Sequence, residues 1–494
     1  MDRVLGTNLA WGIAVLVHAA ICIAALIVVP KQRKPTAAMA WLLAIVFLPY
    51  IGVVLYLVIG TAKLPRRRRE EQARTTALIA EQAGRVDLAP GRATWPTWFE
   101  NVTRQNQLLG GLPVVGGNTA TLCGDYQGSI DAMAREIGTA RHFVHVEFFI
   151  VSLDVTTRGF FEAMEAAVKR GVTVRLLADH VSSKKVAHST ETFAELDRIG
   201  VAWSWMLPVI PLKGRYQRPD LRNHRKLVVV DGRVAFMGSQ NLIDRSYDSA
   251  KNIARGLQWQ ELMTRVEGPV VASINTVFLS DWLAETGVFL DVTDPTVNVP
   301  GPEVRFDSSP AALECQVVPS GPGYDTENNL RLFLSLLYAA EKRAIITSPY
   351  FVPDEAMMYA ITSACQRGLE VQLFVSEIGD QGPVFHAQRS YYTALLDAGV
   401  RIFRYPAPFI LHAKHLSIDD DIAVIGSSNM DIRSFSLDLE VSLLVRGREF
   451  VNRMREVEEG YRAAGSELTR EEWSREPRSS TALDGLARLT SALE

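Results

Sequence analysis

The sequence predicts an α/β fold built from two tandem copies of one domain, preceded by a transmembrane hairpin of two helices. Three observations predict it: one motif occurs twice, strand and helix patterns alternate around each copy, and two long uncharged stretches open the chain. At 494 residues the chain is also too long for one ordinary hydrophobic core. We therefore expect two or more folded units.

The uncharged stretches cover about residues 9–30 and 37–60, and each is long enough to cross a bilayer as a helix. Only a short basic segment, 31–35, separates them, so we expect a transmembrane hairpin over residues 1–62. A signal peptide is one alternative, but the second stretch follows the first at once. A pair of buried core helices is another, and the absence of a polar face argues against it.

Basic residues flank the two predicted helices unequally. In chain order they are Arg3, then Lys31, Arg33 and Lys34, then Lys63 and Arg66–Arg69. A hairpin puts its outer ends on one side, and the more basic side is normally cytoplasmic. We therefore expect the large C-terminal part to lie in the cytoplasm. The arginine run can be simply the basic segment that stops transfer of the chain after a membrane helix, and it can also hold anionic lipid headgroups.

Composition and spacing divide the rest of the chain into five segments. A polar connector that favours helix covers 63–117, and two rounds of strand and helix patterns cover 118–290 and 316–466. A linker rich in Pro and Asp, 291–315, joins the rounds. The charged tail, 467–494, is expected to be a peripheral helix or partly disordered.

Both rounds show the same succession of elements. The first round predicts strand 142–151, helix 159–170 and strand 171–179. The second predicts strand 343–351, helix 355–367, strand 368–375, helix 387–398 and strand 400–405. Such alternation is typical of a sheet that is covered by helices.

The repeated motif reads His-x-Lys, four residues, Asp, six residues, then Gly-Ser-x-Asn. Its copies lie at 223–241 and 411–429, one domain length apart, which indicates a tandem duplication. The members are His224, Lys226, Asp231, Ser239 and Asn241, and His412, Lys414, Asp419, Ser427 and Asn429. Two copies mean two half-sites, and we expect the chemistry where they meet.

Strand alternation predicts which members of the motif share a face. His224 and Lys226 are two positions apart, so in a strand they project together, about 6–7 Å apart. Asp231 has an odd offset from His224 and stands in an Asp-Gly turn signal before the next strand. We expect it to face away from the site and to hold the turn, and Asp419 to do the same.

The paired motif suits chemistry at a phosphodiester. Two lysines supply fixed positive charge, and Ser239, Asn241, Ser427 and Asn429 supply neutral polar contacts to the phosphate. One neutral imidazole can attack phosphorus while the other, protonated, supplies a proton to the leaving alkoxide. Since the lysines already supply the charge, we expect no metal and no other cofactor. The sequence shows no acidic ligand cluster near the motifs, and its four cysteines are scattered.

Each histidine needs a partner that fixes one ring nitrogen. Downstream carboxylates are the expected partners, and Glu261 and Glu440 are the candidates. Glu440 stands in an otherwise apolar strand, where an unpartnered carboxylate is costly. An ordinary exposed glutamate is the alternative for Glu261.

At these residues the sequence resembles the phospholipase D superfamily and, more narrowly, the bacterial cardiolipin synthases. The supporting strings are Ala40-Trp41, Leu48-Pro49-Tyr50-Ile51-Gly52, Leu221-Arg222-Asn223-His224-Arg225-Lys226, Ser348–Glu355 and Ser390–Val400. The resemblance implies two phospholipase D-like domains that form a pseudo-dimer with one active site at their interface. It also implies an enzyme of the bacterial inner (cytoplasmic) membrane whose partners are phosphatidylglycerol and other anionic phospholipids.

The reaction implied by the resemblance joins two phosphatidylglycerols into cardiolipin and releases glycerol through a phosphohistidine intermediate. His224 would be the nucleophile and His412 the general acid and base, a ranking that the sequence does not itself provide. Lys226, Lys414, Asn241 and Asn429 would hold the phosphate. Relatives commonly carry Asp where this chain has Glu261, which leaves that orienting role open.

The motif alone does not determine which molecule accepts the phosphatidyl group. If water is the acceptor, the enzyme is a phospholipase D. If another alcohol is the acceptor, it is a different phosphatidyltransferase. A nuclease is disfavoured by the membrane hairpin and by a net charge of −3, which shows no polybasic signature for nucleic acid. A catalytically inactive membrane scaffold is disfavoured because both copies keep their His and Lys.

Overall fold

The computed structural model describes residues 2–31, 35–60, 63–83, 89, 92, 94–211, 215–298 and 312–490. The chain divides into two compact units. The first is Met1–Lys63 with Arg218–Asp220, and the second is Leu64–Gln217 with Leu221–Glu494.

Three apolar helices form the N-terminal unit: α1 (Asp2–Val28), α2 (Pro35–Phe47) and α3 (Pro49–Ile59). Within α1, the stretch Trp11–Val28 is long and apolar enough to cross a membrane. At about 1.5 Å per residue, α2 and α3 are each shorter than the roughly 30 Å hydrocarbon core of a bilayer. The first predicted helix is therefore present, and the second takes a different form.

The prediction of one unbroken helix over 37–60 is wrong, because the helix breaks at Leu48 and Pro49. Leu48 has φ −133° and ψ 65°, and α3 begins with the proline, which has no N–H and disfavours a helical residue before it. The rings of Trp41 and Tyr56 lie only 5.5 Å apart, whereas a straight helix would separate these positions by about 22 Å. A Cβ on Gly52 would lie 2.7 Å from the Ala44 carbonyl oxygen. Helices α2 and α3 therefore fold back against each other.

Two helices, α4 (Arg66–Ala83) and α5 (Thr97–Gly110), occupy the predicted connector. The connector is more structured than expected, because α5 packs its buried Phe99 and Val102 into the core of the large unit. The first strand also begins inside the predicted connector, at Val114. The boundary predicted at residue 118 is therefore a few residues too late.

The first half of the large unit continues with eleven strands and six helices among its described residues. The strands are β1 (Val114–Cys123), β2 (Phe143–Phe148), β3 (Thr173–Asp179), β4 (Ala202–Met206), β5 (Val209–Ile210), β6 (Arg215–Tyr216), β7 (Arg222–Asn223), β8 (Leu227–Val230), β9 (Val234–Gly238), β10 (Gln258–Gln260) and β11 (Met263–Glu267). The helices are α6 (Tyr126–Thr139), α7 (Arg158–Lys169), α8 (His180–Lys185), α9 (Ser189–Ile199), α10 (Ala250–Ala254) and α11 (Val270–Thr286).

The second half adds eleven strands and eight helices within the part of the chain that the structure describes. The strands are β12 (Leu313–Ser320), β13 (Arg343–Thr347), β14 (Phe351–Val352), β15 (Glu370–Ser376), β16 (Arg401–Tyr405), β17 (Phe409–Leu411), β18 (His415–Ile418), β19 (Ile422–Gly426), β20 (Met430–Asp431), β21 (Asp438–Arg446) and β22 (Ser466–Leu468). The helices are α12 (Asn328–Ala339), α13 (Glu355–Gln366), α14 (Gly382–Arg389), α15 (Tyr392–Ala398), α16 (Ile432–Ser436), α17 (Arg448–Ala464), α18 (Arg470–Ser474) and α19 (Arg478–Thr490).

One sheet of sixteen described strands runs through both halves. Its order is β22-β16-β15-β13-β18-β19-β21-β12-β1-β11-β9-β8-β2-β3-β4, with β7 attached to β21. Read outward from the central antiparallel pair of β1 and β12, both halves repeat one order of strands. The predicted duplicated α/β fold is therefore confirmed, and the two copies continue one sheet.

The halves also share a hydrophobic core. On one face of the sheet, Phe278 of α11 and Phe450 of α17 belong to a single cluster that draws strand residues from both copies. The other face is covered separately, by Met164 of α7 and its neighbours in the first half and by Ile361 of α13 and its neighbours in the second. The shared cluster explains why both copies fall within one compact unit.

The described part of the C-terminal tail packs closely against the second half. Strand β22 pairs with β16 at the edge of the sheet. Asp484 of α19 is buried, and its carboxylate lies 2.6 Å from Nδ1 of His386 and 3.3 Å from Nε of Arg389. The tail therefore contains the expected helix, α19, and the alternative of partial disorder does not hold for these residues. The predicted linker lies largely outside the described residues, and its last residues already belong to β12.

The motif aspartates hold turns, as their odd sequence offset from the motif histidines predicts. The Asp231 carboxylate accepts hydrogen bonds from three successive backbone N–H groups, those of Arg141 (2.8 Å), His142 (2.9 Å) and Phe143 (2.9 Å). Asp419 does the same for Glu341–Arg343 at 2.7–3.1 Å. Both aspartates adopt left-handed backbone conformations, with φ of 51° and 47°. Each carboxylate thereby fixes the start of one interior strand of the sheet, β2 or β13.

We predict that Asp231→Ala lowers the free energy of unfolding by about 1–3 kcal/mol, because three backbone donors lose their acceptor. Thermal unfolding of the detergent-solubilised protein, followed by circular dichroism, measures the effect. Asp420→Ala is the matched control, since the carboxylate of this half-buried neighbour pairs with two side chains, Nζ of Lys342 at 3.0 Å and Nη2 of Arg343 at 3.7 Å. A wild-type midpoint for Asp231→Ala would contradict the turn-holding role.

Candidate active site

The two motifs meet because each is attached to a strand of the other half. Strand β7 pairs in parallel with β21, and the His224 N–H donates to the Leu439 carbonyl at 2.8 Å. Strand β10 pairs in parallel with β17, and the His412 N–H donates to the Gln260 carbonyl at 2.7 Å. The residue after each of these carbonyls is a glutamate, so each histidine lies beside a carboxylate of the other half.

The two candidate carboxylates contact the histidines in a crossed arrangement. Nδ1 of His224 lies 3.0 and 3.2 Å from the carboxylate oxygens of Glu440, and Nδ1 of His412 lies 2.8 and 2.9 Å from those of Glu261. The expectation of a downstream partner is wrong for His412, because Glu261 precedes it by 151 residues. An Nδ1–H that donates to the carboxylate leaves the lone pair on Nε2. Both rings are thus prepared to act through Nε2.

The lysines of the motifs are fully buried and fold back over the histidine backbone. Nζ of Lys226 donates to the His224 carbonyl at 2.6 Å, and Nζ of Lys414 donates to the His412 carbonyl at 2.7 Å. The strands β8 and β18 begin only after these lysines, so the prediction that His224 and Lys226 share a strand face is wrong. The His-x-Lys segments are irregular connections at the strand entrances.

Burial and mutual repulsion control the ionisation of the four basic groups. Burial lowers the pKa of Lys226 to about 7 and that of Lys414 to about 8. Burial, followed by the charges of Lys226 and Lys414, lowers the pKa of His224 well below its usual value. Burial also lowers the pKa of His412, although the charge of Glu261 opposes this shift. An anion bound among these groups would raise all four pKa values, so the site is built to receive one.

The two carboxylates differ in their ionisation. Burial raises the pKa of Glu440 to about 7. Burial also acts to raise the pKa of Glu261, but the charge of His412 and its hydrogen bond outweigh burial, and the net pKa is lowered. Glu261 is therefore charged beside His412, and its charge partly offsets the effect of burial on the pKa of that ring. The neighbourhood of His224 favours a neutral ring.

The motif serines hold the carboxylates and the backbone. The Ser427 hydroxyl donates to Glu440 and accepts from the Val441 N–H at 3.0 Å. The Ser239 hydroxyl accepts from the Leu262 N–H at 2.9 Å and helps to lower the pKa of Glu261 through a hydrogen bond. The expectation that both serines bind phosphate is corrected, because their hydroxyls form hydrogen bonds with the glutamates and with the backbone next to them.

The motif asparagines occupy different environments. Nδ2 of Asn241 donates to the Tyr247 hydroxyl at 2.8 Å, and that hydroxyl donates to Glu261 at 3.1 Å. In the second copy Phe435 replaces Tyr247 and has no hydroxyl. Oδ1 of Asn429 is buried without a hydrogen-bond partner among the described residues. Asp231 and Asp419, by contrast, lie at the turns described above and not in the site.

An arginine that the sequence reasoning missed supports the first half-site. Arg225 is almost fully buried, its Nε donates to the Glu440 carbonyl at 3.1 Å, and its Nη1 pairs with the Asp281 carboxylate. The equivalent position in the second copy is Ala413. A charged residue at the variable position of only one copy was the signal that could have identified it.

Aromatic rings line the two histidines differently. The Phe149 ring packs edge-on against His224 with centroids 4.9 Å apart. Tyr247 and Tyr350 pack edge-on against His412 at 6.3 and 6.0 Å. Within the described residues there is no group of three or more His, Cys, Asp or Glu side chains that could hold a metal ion.

Comparison with known proteins shows which family models the sequence matches. A family model described as a cardiolipin synthase, PLD-like domain matches residues 133–282 and 333–459. A second model, described as a phospholipase D-nuclease N-terminal segment, matches residues 20–60. The two PLD-like matches fall on the two halves of the sheet, one on each copy of the motif.

Individual proteins resemble the chain over most of its length. Cardiolipin synthase A of Yersinia pseudotuberculosis serotype IB (strain PB1/+) is 32% identical over 452 residues, covering 90% of both chains. Cardiolipin synthase A of Pectobacterium carotovorum subsp. carotovorum (strain PC1) is 33% identical over 454 residues, again with 90% of both chains. The crystal structure of phosphatidylserine synthase from Haemophilus influenzae Rd KW20 shares the fold, with a TM-score of 0.59, 15% identity, 80% of this chain and 99% of that chain.

We predict that Glu261→Gln moves the alkaline limb of phosphodiester cleavage to lower pH by about 1–3 units. The negative charge of Glu261 raises the pKa of His412, so its removal makes the protonated ring disappear at lower pH. The pH dependence of alcohol release from a substrate with an alkyl leaving group measures the shift.

Glu440→Gln is the matched control, because its carboxylate contacts His224 instead of His412. It should slow cleavage without moving the alkaline limb. Equal movement of that limb in both variants would show that the crossed pairing does not distinguish the two histidines.

Proposed function

Because the chain belongs to the family of cardiolipin synthases built from PLD-like domains, we propose that it is a phosphatidyltransferase that makes cardiolipin. It transfers a phosphatidyl group from one phosphatidylglycerol to another and releases glycerol. The observation that carries the proposal is the pair of histidines, each held at Nδ1 by a carboxylate of the other half and each beside a buried lysine. The names of the relatives support the choice of acceptor.

In the first step, Nε2 of His224 attacks the phosphorus of the donor, and the bond from phosphorus to the glycerol oxygen breaks. His412 gives its Nε2 proton to that oxygen, so glycerol leaves as a neutral alcohol. The surroundings support these roles, since burial and two ammonium groups keep His224 neutral, whereas the charge of Glu261 partly offsets the lowering of the pKa of His412. The product is a phosphatidyl group bound to His224.

In the second step, a hydroxyl of the second phosphatidylglycerol attacks the same phosphorus. Its proton passes to Nε2 of His412, the bond from phosphorus to His224 breaks, and cardiolipin leaves. Both residues then regain their starting states, so the cycle needs no oxidant, cofactor or metal. The acid of one step is the base of the next.

The phosphate binds between the lysines. Lys226 and Lys414 have lost most of their hydration on burial, so their charge acts strongly on the developing negative charge at phosphorus. Asn241 and Asn429 add neutral contacts, and the unpartnered Oδ1 of Asn429 belongs to an amide whose orientation a ligand can set. Because a diester carries one negative charge, it offsets the repulsion between two buried cations that lowers their pKa values.

We further propose that the N-terminal unit anchors the enzyme in the bacterial cytoplasmic membrane by one span and one re-entrant hairpin. Helix α1 crosses the bilayer, while α2 and α3 enter it and return to the same side. The turn between α2 and α3 supports this topology, because Phe47, Leu48, Tyr50 and Ile51 are apolar or aromatic and more than half exposed in the N-terminal unit. Pro49 has no N–H to leave unpaired in lipid.

This topology increases the charge asymmetry across the membrane. The basic residues between α1 and α2 and those after α3 then lie on the same side of the membrane. That side carries eight basic residues, and the other side carries only Arg3. With two full spans, the three residues of the loop would oppose six. The positive-inside rule then places both PLD-like halves in the cytoplasm, where phosphatidylglycerol reaches them from the inner leaflet.

We predict that cysteines introduced at Lys31 and Lys63 are labelled from the same, cytoplasmic side, and a cysteine at Asp2 from the other. The measurement is modification by a membrane-impermeant maleimide in right-side-out and inverted vesicles. The background variant lacks Cys22, Cys123, Cys315 and Cys365. Two full spans would instead place positions 2 and 63 on one side and position 31 on the other.

We predict that His224→Ala and His412→Ala each lower cardiolipin formation at least 1,000-fold, since one removes the nucleophile and the other the proton carrier. The full-length protein in liposomes receives labelled phosphatidylglycerol alone, with EDTA present. Cardiolipin and glycerol in equal amounts are the expected products. Phosphatidic acid as the main product would make the enzyme a hydrolase, and near-normal turnover by His412→Ala would contradict the two-histidine mechanism.

A further inference from the structure

The wall of the site beside His412 carries groups that suit a polyol. The Tyr350 ring packs edge-on against His412, and its hydroxyl donates to Oδ2 of Asp380 at 2.9 Å. Nε2 of Gln381 lies 3.3 Å from the same hydroxyl. Beside His224 the corresponding wall is Phe149, which has no polar atom on its ring. One histidine therefore faces hydroxyl and carboxylate groups, and the other faces a hydrocarbon ring.

The loop that carries Asp380 is fixed at the site by both halves. It follows β15, whose last residue, Ser376, accepts the Leu411 N–H on its hydroxyl at 2.8 Å, one residue before His412. From the first half, Nη2 of Arg255 donates to the Gly379 carbonyl at 2.9 Å. The charge of Asp380 also acts on the pKa of Lys414, which places the carboxylate within electrostatic reach of the phosphate-binding group.

The corresponding loop of the first half has the opposite character. Asp179 ends β3 and accepts the Asn223 N–H at 2.9 Å, which is the counterpart of the Ser376 contact. The chain then enters α8, which carries exposed Lys184 and Lys185. The segment that follows the strand is therefore basic in the first half and acidic in the second.

A half-buried carboxylate at the rim repels a phosphate but accepts hydroxyl protons. An aspartate has about four lone-pair positions, and Tyr350 uses one of them. Two adjacent hydroxyls of a glycerol group can donate to the remaining positions, whereas water or a simple alcohol fills fewer of them. Hydrogen bonds to a charged acceptor are also about twice as strong as neutral ones.

We propose that Tyr350 and Asp380 form a polyol subsite that holds the glycerol headgroup beside His412. The inference rests on the proposed function and deepens it. The same subsite serves both steps, because the departing glycerol and the arriving glycerol headgroup occupy the same position between the phosphorus and His412. Asp380 binds the glycerol hydroxyls that do not react, two on the departing group and one on the arriving headgroup, and this orients the reacting oxygen toward Nε2 of His412. Tyr350 is the positioning residue that fixes the carboxylate.

The test uses the full-length enzyme in liposomes with labelled phosphatidylglycerol and equal concentrations of 1,2-propanediol and 1-propanol. Both alcohols compete for the same phosphatidyl-enzyme, so the ratio of their products does not depend on the rate at which that intermediate forms. We expect the wild type to prefer the diol about tenfold, and Tyr350→Phe and Asp380→Asn to bring the ratio close to one. The ratio of cardiolipin to phosphatidic acid should fall in parallel.

Tyr359→Phe and Glu355→Gln are the matched controls. The Tyr359 hydroxyl donates to the Glu355 carboxylate at 3.1 Å, in the same chemical arrangement but on the exposed surface of α13. Both controls should keep the wild-type ratio. Variants at Tyr350 and Asp380 that lose turnover but keep the diol preference would overturn the subsite and leave these residues a purely structural role.

The outcomes also separate this inference from the proposed function. A wild-type enzyme that makes no cardiolipin yet prefers the diol would contradict the function and support the subsite. A wild-type enzyme that makes cardiolipin but takes both alcohols equally would support the function and overturn the subsite.

Discussion

Two histidine–carboxylate contacts that cross between the halves are the constraint on which the site depends. His224 takes its partner from β21 and His412 takes its partner from the strand entrance at Glu261, so neither half contains a complete site. The crossed partners require the parallel pairings of β7 with β21 and of β10 with β17. Those pairings require the shared core and the continuous sheet. A change that separates the halves therefore removes the orientation of both rings together.

The second constraint on the site is that its basic groups lie close together and are buried from water. Lys226 and Lys414 are buried beside two imidazoles, and the pKa of each of these four groups is lowered. Glu261 and Glu440 compensate in part, and a bound diester supplies the remaining negative charge. The empty site is thereby less stable than the occupied one, and the free energy of that difference is available for binding an anionic lipid whose charge spreads during transfer.

The sequence was sufficient to predict the duplicated fold and the two carboxylates, because periodicity, spacing and the cost of burying Glu440 are local properties. It could not predict the crossed pairing, since which strand edges meet is decided by the closure of the whole sheet. The roles of Ser239 and Ser427 were also missed, because a hydroxyl next to a glycine is equally suited to phosphate or to a neighbouring carboxylate. Pro49 is a signal for a break in the helix, but the uncharged composition of residues 37–60 favours one continuous membrane-spanning helix.

The duplication leaves a symmetric scaffold, whereas the proposed mechanism gives the two histidines different tasks, since one bonds to phosphorus and the other carries a proton. The residues that differ between the copies lie where this division of labour needs them. Arg225 fixes the carbonyl of Glu440 behind the first histidine, where the second copy has Ala413. Tyr247 bonds Glu261 beside the second histidine, where the other copy has Phe435. In the proposed mechanism the repeated motifs thus supply the reacting atoms, and the neighbours that have diverged decide which histidine attacks and which transfers the proton.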